Sequence, residues 1–271
     1  MVRLFGPLVG LFFAVALLWS FGNGAYTAIT EPAPVTAEHE FHLHPKELDL
    51  ASNGAFGRFD KQQLQRGFQV YKEVCATCHS LKQIAFRDLK AIGYSDAEVK
   101  AIAKQWATKA STFNPVTGDR GERDNIASDH IPAVYYAGQG VPPDLSLMTK
   151  ARHDGAAYVY SLLTGYQEQP AELLKKFPDA KTPDGLHYNP YFANLNLAMP
   201  APLASDDQVT YSDGTKATVD QMSKDVSAFL VWTAEPKLDK RKQTGWAVLG
   251  FLLMATVLAY LAKKNIWADK H

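Results

Sequence analysis

The chain has 271 residues, of which 46% are hydrophobic, and its 28 basic and 28 acidic residues give a formal net charge of zero. Nucleic-acid binding proteins usually carry an excess of basic residues, so we expect no nucleic-acid partner. Neither a G-x-x-x-x-G-K-[ST] nor a G-x-G-x-x-G stretch occurs, so a bound nucleotide is not indicated. The length predicts one or two domains.

Residues 1–28 have the pattern of a secretory signal peptide. Arg3 supplies a positive charge, an apolar run follows from Leu8 to Phe21, and small residues lie between Gly22 and Ala28. The apolar run is short for a membrane span. We expect this segment to be cleaved between Ala25 and Ile29, and an uncleaved N-terminal anchor is the alternative.

The central motif of the chain is Cys75-Ala76-Thr77-Cys78-His79, which contains its only two cysteines. Two thiols three positions apart, followed directly by a histidine, indicate a c-type haem attachment site. Each thiol forms a thioether with one vinyl group of the haem, and the histidine binds the iron. We therefore predict one covalently attached haem c, held by Cys75 and Cys78 and ligated by His79.

A cysteine pair with this spacing also occurs in zinc sites, in thioredoxin-like redox motifs and in disulfides. A structural zinc site would need further ligands, and the chain has no second cysteine pair. A thioredoxin-like motif would lie in a βαβ pattern, which the sequence does not show. A disulfide across two intervening residues is possible but strained.

Two amphipathic helices are predicted, one that leads into this motif and one far along the chain. Residues 60–78 begin at Asp60 as N-cap, and residues 218–233 end before Pro236. Gly67 lowers the stability of the first helix. Its presence there indicates that a second helix packs closely against it. The predicted apolar faces are Leu64, Phe68, Tyr71 and Cys75 in the first helix, and Val219, Met222, Val226, Phe229 and Leu230 or Thr233 in the second.

The sequence between the two amphipathic helices predicts short helices joined by long loops. Residues 95–107 begin with a Ser-x-x-Glu capping box, and residues 154–163 are helical in pattern. Residues 111–146 and 166–217 are rich in glycine, proline and polar residues and predict irregular structure. The predicted fold is mainly α with long loops, in a class I cytochrome c-like haem domain.

A C-terminal transmembrane helix is predicted at residues 245–262, which are 18 uncharged residues with basic residues on both sides. At 1.5 Å per residue they extend about 27 Å, enough to cross a bilayer. With a cleaved signal, the haem domain at 29–239 would lie on the periplasmic side of the bacterial inner membrane. Residues 240–264 would be the single anchor and 265–271 a cytoplasmic tail, with a buried core helix as the alternative.

The sixth iron ligand is expected to be a methionine. Met148, Met199 and Met222 lie outside the signal and the span, and Met222 falls on the packing face of a predicted helix. Met199 lies in a loop stiffened by Pro200 and Pro202, and Met/His ligation raises the potential of a haem. We favour Met199, with Met148 as the alternative.

The chain resembles the cytochrome c1 family over most of its mature length. The resemblance rests on five stretches in this order: Pro142-Pro143-Asp144-Leu145-Ser146, Lys150-Ala151-Arg152-His153, Tyr158 to Tyr166, Asn189-Pro190-Tyr191-Phe192-Ala193 with Ala198-Met199-Pro200, and Asp225 to Leu230 with Ala234-Glu235-Pro236. It implies Met199 as the sixth ligand. It also implies that Arg152 and Tyr158 hold a haem propionate, since a guanidinium suits a buried carboxylate.

The resemblance further implies a non-catalytic electron-transfer subunit of a ubiquinol–cytochrome c reductase. Its partners would be cytochrome b, the Rieske iron–sulfur protein as donor, and a soluble or tethered cytochrome c as acceptor. Ten acidic and five basic residues lie between positions 160 and 235, and such a surface would steer a basic cytochrome c unless it is an ordinary solvated face. The alternatives are a membrane-anchored cytochrome c that donates to a terminal oxidase, and a peroxidase-type haem enzyme with an open sixth position.

Overall fold

A computed structural model describes residues 2–31, 35–132, 134–136 and 140–270. This part of the chain is mainly helical, as predicted. Its α-helices are α1 Val2–Thr30, α2 Ala37–Phe41, α3 Lys61–Glu73, α4 Asp96–Gln105, α5 Met148–Ala151, α6 Gly155–Leu163, α7 Ala171–Lys176, α8 Val219–Ala234 and α9 Leu238–Ile266. Its strands are β1 Leu81–Ala85, β2 Ala110–Phe113, β3 Arg120–Arg123, β4 His130–Ile131, β5 His187–Tyr188 and β6 Asn196–Leu197.

The packing of α3 against α8 forms the centre of the main core, and it confirms the predicted helix pair. Asp60 caps α3 by accepting hydrogen bonds from the amides of Gln62 and Gln63. A Cβ atom on Gly67 would lie 2.0 Å from the Asp225 carbonyl oxygen, so only glycine allows this approach. The predicted apolar positions Leu64, Phe68, Tyr71, Met222, Val226, Phe229 and Leu230 are buried in this core.

A buried ion pair fixes the register of these two helices. The Arg66 guanidinium on α3 donates to the fully buried Asp225 carboxylate on α8 at 2.9 Å and to Asp213 in the preceding loop at 2.8 Å. Gln63 and Gln221 also donate to Asp225. Because this carboxylate has charged and neutral donors around it, its burial does not leave an unpaired charge.

The predicted helix over residues 60–78 is too long by one turn. α3 ends at Glu73, and a separate 3-10 turn covers Cys75–Thr77. The capping box of α4 is confirmed, since Ser95 and Glu98 exchange hydrogen bonds at the helix start. The helix predicted from Asp154 is confirmed as α6, with Asp154 at its N-cap position.

The region 111–146 has more regular structure than predicted, within its described residues. β2 and β3 form an antiparallel hairpin, and β4 pairs with β1 directly after the cysteine motif. β5 and β6 form a third antiparallel pair in the other loop-rich region. All four residues of β3 are exposed, so the strand has no apolar alternation that a sequence pattern could reveal.

The end of α6 is locked to the Asn189-Pro190-Tyr191 loop. Asn189 is fully buried, donates to the Leu162 carbonyl at 2.8 Å and accepts from the Tyr191 amide at 3.1 Å. A Cβ atom on Gly165 would lie 2.4 Å from the Tyr191 ring, so this contact requires glycine. The loop that leads to Met199 therefore starts from a fixed anchor on α6.

In the part of the chain that the structure describes, two helices are long and apolar enough to cross a membrane, α1 over Leu4–Thr30 and α9 over Leu238–Ile266. α1 is a continuous helix of 29 residues, so the length argument made from the run between Leu8 and Phe21 is wrong. A signal sequence remains the prediction for this segment. α9 begins seven residues before the predicted start at 245. Its first residue, Leu238, is buried, and its large apolar side chains from Trp246 onward are exposed.

Candidate haem site

The cysteine motif lies in a tight turn directly after α3. The amides of Cys78 and His79 both donate to the Cys75 carbonyl oxygen, at 3.1 and 2.8 Å. Both thiols are unpaired, so the strained disulfide is not formed. Burial, and secondarily the nearby Cys78, raise the pKa of the Cys75 thiol to about 12, which does not suit the reactive thiolate of a thioredoxin-like motif.

A hydrogen bond orients the His79 ring. Its Nδ1 lies 2.8 Å from the Pro143 carbonyl oxygen. A carbonyl can only accept, so Nδ1 carries the proton and Nε2 keeps a free lone pair. Such a partner fixes the tautomer and direction of a metal-ligating histidine. The Tyr71 hydroxyl on α3 also donates to the His79 carbonyl at 2.9 Å, which ties the residue to the core.

Asp144 holds the loop that orients His79, and the sequence argument did not single it out. Its carboxylate accepts hydrogen bonds from the Ser80 hydroxyl and the Lys82 amide, both at 2.8 Å, and from the Ser146 amide at 3.0 Å. Partial burial raises the pKa of Asp144, but these donors outweigh it and the net pKa is lowered. The Asp-x-Ser pattern of an Asx turn was a usable signal for the local part of this arrangement.

Met199 lies half-buried on the loop after β6. The Tyr166 hydroxyl donates to the Met199 carbonyl oxygen at 3.0 Å, which fixes the backbone and leaves the thioether free. Met222 is fully buried in the main core, as predicted, and Met148 packs against that core from α5. Met199 is therefore the loop methionine of the three candidates.

Arg152 and Tyr158 lie close together at the start of α6. Burial raises the pKa of Tyr158, and the Arg152 guanidinium opposes this shift because it is near the phenol oxygen. Tyr158 in turn acts on Tyr166, whose pKa is raised mainly by burial and further by this neighbour. The contact of this group with Met199 is the hydrogen bond from the Tyr166 hydroxyl to the Met199 carbonyl oxygen.

The structure brings the candidate residues together in two groups. Cys75, Cys78 and His79 share one turn, and Arg152 lies beside Tyr158. Met199 is held separately, through the hydrogen bond that its carbonyl oxygen accepts from Tyr166. Within the described residues, no hydrogen bond directly joins His79 to Met199. Two unpaired thiols beside an imidazole with a free Nε2 fit the donor set of a covalent haem c.

Comparison with known proteins gives consistent relatives. The model of the Cytochrome C1 family matches residues 50–270. Cytochrome c1 of Rhodospirillum rubrum is 42% identical over 241 residues, covering 82% of this chain and 88% of that protein. The heme protein cytochrome c1 of Saccharomyces cerevisiae mitochondria is 40% identical, covering 89% of this chain and 77% of the relative.

A longer relative is the protein named cytochrome b/c1 of Bradyrhizobium diazoefficiens. It is 44% identical over 241 residues, which cover 80% of this chain but only 35% of that protein. This chain thus spans about a third of that relative. The family model covers most of the chain, and relatives of similar length are at least 40% identical to it. The chain therefore belongs to the cytochrome c1 family.

Proposed function

We propose that this chain is the haem-bearing electron-transfer subunit of a bc1 complex, a ubiquinol–cytochrome c reductase. The observation that carries the proposal is the pair of unpaired thiols beside His79, whose Nδ1 is held by Pro143. Relatives named cytochrome b/c1 and cytochrome b-c1 complex catalytic subunit support membership of such a complex. The family match makes a terminal-oxidase donor the less favoured alternative.

Cys75 and Cys78 would hold one haem c through thioether bonds, and His79 would bind the iron through Nε2. Met199 would supply the sixth ligand, supported by its half-buried position on a loop whose backbone Tyr166 holds. The haem supplies one-electron chemistry between ferric and ferrous iron. Ligation on both faces leaves no open position, which suits electron transfer and not peroxidase chemistry.

Arg152 and Tyr158 would pair with a haem propionate. Arg152 is exposed, and its guanidinium already lies near the Tyr158 hydroxyl, so both donors can converge on one carboxylate. Such a charge-assisted contact would also neutralise the guanidinium at the haem edge. The close α3–α8 pair beside the motif supports a class I cytochrome c-like arrangement of the haem domain.

The haem domain at 29–239 would lie on the periplasmic side of the bacterial inner membrane, anchored by α9. Residues 1–28 would be the signal peptide, 240–264 the anchor and 265–271 the cytoplasmic tail. The length and apolar composition of α9 support the anchor. Cytochrome b and the Rieske protein would be its neighbours, with the Rieske protein as electron donor.

A cytochrome c would accept the electron, and acidic side chains would help to attract it. Of the ten acidic residues between 160 and 235, four are ion-paired in the structure, namely Asp213, Asp220, Asp225 and Glu235. The other six are exposed and can act on a basic partner at long range: Glu168, Glu172, Asp179, Asp184, Asp206 and Asp207. Reduction of cytochrome c should therefore slow as ionic strength rises.

Purification of the tagged full chain from membranes tests this function. We expect a b-type cytochrome and an iron–sulfur protein to co-purify, and quinol to reduce first the haem c and then added cytochrome c. A chain that purifies without them and reduces a terminal oxidase directly would support the alternative. Rapid carbon monoxide binding to the native ferrous haem would contradict two-sided ligation and favour a haem enzyme.

A further inference from the structure

The joint between α8 and α9 is braced by polar contacts on both sides. Only three residues separate the two helices. Glu235 accepts a hydrogen bond from the Arg241 guanidinium and pairs with Lys150 at 3.1 Å, which joins the α9 start to α5. The Asp239 carboxylate accepts from the Phe59 amide at 3.2 Å. The first turn of α9 is thus part of the folded domain.

Lys242 fixes a loop of residues 52–57, here called the 52–57 loop, against the same turns of α9. Its ammonium group donates to the carbonyl oxygens of Ser52 at 2.7 Å, Gly54 at 2.7 Å and Gly57 at 3.2 Å. A lysine ammonium has three donors. All three are used here, so this lysine acts as a three-point clamp on the backbone of the loop.

The 52–57 loop is compact and closed. The Arg58 amide donates to the Ala51 carbonyl at 2.9 Å, so the two ends of the loop meet. Gly54 has a φ of +70°, and a Cβ atom on Gly57 would lie 1.9 Å from the Asn53 carbonyl oxygen. Both glycines are therefore needed for a turn this tight, and the loop presents its tip in a fixed position.

The tip of the loop exposes an aromatic ring that stacks on α9. The Phe56 and Trp246 rings lie 4.9 Å apart with an angle of 7° between their planes. Phe56 is 79% exposed and Trp246 is 47% exposed. A rigid loop that holds a large apolar ring in water gains nothing from that exposure, whereas an apolar or interfacial surface would stabilise it.

The sequence of α9 indicates where this ring pair would lie along the membrane normal. Trp246 is the second residue of the uncharged segment 245–262, which is about 27 Å long and so about as thick as the hydrocarbon layer. The Phe56 ring lies at the same height because the rings stack. Aromatic residues favour this boundary. Arg58 and Lys240 are exposed and lie two and six positions from the two aromatic residues in the sequence, and basic side chains near such a boundary are attracted to anionic lipids.

We propose that the 52–57 loop is a second membrane contact, with Phe56 and Trp246 inserted together at the lipid headgroup level. The partner is an anionic lipid surface. The inference rests on the proposed anchoring by α9, and it adds a fixed orientation to that anchor. One helix alone would let the domain swivel about its axis, but a ring offset from the helix and clamped by Lys242 resists this motion.

Lipid is favoured over another subunit as the partner for two reasons. The ring pair is continuous with the apolar surface of α9, so the surface that covers the helix also reaches the rings. Basic side chains beside an apolar tip are the composition of a lipid-interface contact. A subunit interface would instead exclude both lipid and water from Phe56, which the following measurement distinguishes.

The experiment uses spin labels on the full holo chain in nanodiscs that contain a mixture of phosphatidylcholine and phosphatidylglycerol. The native thiols are consumed by haem attachment, so single cysteines can be labelled at Phe56→Cys, Met254→Cys and Val116→Cys. Oxygen, which partitions into lipid, and a polar nickel chelate report the depth of each label. Val116 is 91% exposed on the β2–β3 hairpin and serves as the aqueous control.

We expect oxygen access to exceed nickel access at position 56, with a depth between those at 254 and 116. Equal accessibilities at 56 and 116, with a deep label at 254, would overturn the loop contact while the anchor stands. An aqueous label at 254 would overturn the anchor and with it the loop proposal. The same labels in the purified complex test the alternative partner, since loss of both oxygen and nickel access at 56 would assign the ring to a subunit interface.

Discussion

The two candidate axial ligands are held in different ways. His79 is fixed through its ring, by Pro143, and through its backbone, by Tyr71, while Asp144 ties the supporting loop to Ser80 and Lys82. Among the described residues, the hydrogen bond that holds Met199 runs to its carbonyl oxygen, from Tyr166. Protein contacts therefore orient the His79 imidazole itself, whereas the contact from Tyr166 acts on the Met199 backbone and not on its thioether.

This difference predicts where the ligand set is most easily broken. Loss of the methionine should change the electronic properties of the haem with little effect on the fold. Loss of the contacts that hold the His79 loop should change both the stability of the fold and the reduction potential of the haem, because those contacts stabilise the loop and orient the histidine.

The largest effect is expected for Met199→Leu. Replacing a thioether ligand should lower the reduction potential by on the order of 0.1 V or more, within the roughly 0.8 V range that axial ligands cover. A redox titration of the haem spectrum in membranes measures this change. Met148→Leu is the matched control and should leave the potential near that of the parent chain. The reverse pattern would make Met148 the ligand.

Asp144→Asn should have the next largest effect, through the loop that orients His79. The substitution keeps the shape but weakens an acceptor with three donors, so unfolding should become easier by roughly 1–3 kcal/mol. Because Pro143 would lose its fixed position, the reduction potential should also shift. Asp184→Asn, at an exposed carboxylate, is the control. If both variants keep the parent potential, Asp144 has only a structural role.

Tyr166→Phe should loosen the methionine side without moving the histidine side. Loss of one hydrogen bond to the Met199 carbonyl costs about 0.5–1.5 kcal/mol. The weaker hold should let carbon monoxide compete better for the ferrous iron and weaken the near-infrared band of methionine-ligated ferric haem. Tyr135→Phe, at an exposed tyrosine, should match the parent chain. Equal carbon monoxide binding in both variants would contradict this role.

The smallest effect is expected for Asp213, which lies in the loop between Met199 and α8. Its carboxylate pairs with Arg66 of α3 and so connects this loop to the helix that precedes the cysteine motif. Hydrogen bonds from Thr215 and then from Arg66 lower the pKa of Asp213 from 3.8 to about 2. A lowered pKa means that Asp213 stabilises the folded chain above about pH 4 and loses this contribution as the pH falls toward 2. The side chain is one-third exposed, so the contribution should stay below about 1 kcal/mol.

Acid unfolding of the holo chain in detergent measures this effect. Asp213→Asn should flatten the stability profile between about pH 4 and pH 2, whereas Asp184→Asn should not. An unchanged profile in Asp213→Asn would show that the pair contributes nothing measurable.

The helix pair and the haem motif were predictable because their signals are local or periodic. Apolar positions repeat at helical spacing in α3 and α8, and Gly67 marked the close contact between them in advance. The cysteine motif carries its chemistry within five residues. Met199 was favoured because prolines stiffen its loop, and its ligand role stays a prediction.

The rest was not predictable because it depends on contacts between distant polar groups. Asp144 meets Ser80 and Lys82 more than sixty positions away, and no periodic pattern records such a pairing. β3 is exposed along its whole length, so it lacks alternation. The Lys242 clamp joins residues almost 190 positions apart, and from the sequence this lysine is one of several basic residues before a span.

The braced joint between α8 and α9 has a consequence for how partners reach the haem. A domain joined to its anchor through three residues, with Lys242 and Asp239 both engaged, has no slack with which to travel across the membrane surface. With α9 in the membrane as proposed, the turn of Cys75 to His79 would therefore stay at one height above the bilayer. The electron donor and the electron acceptor would then have to move to the haem, because the haem domain itself would not move toward either of them.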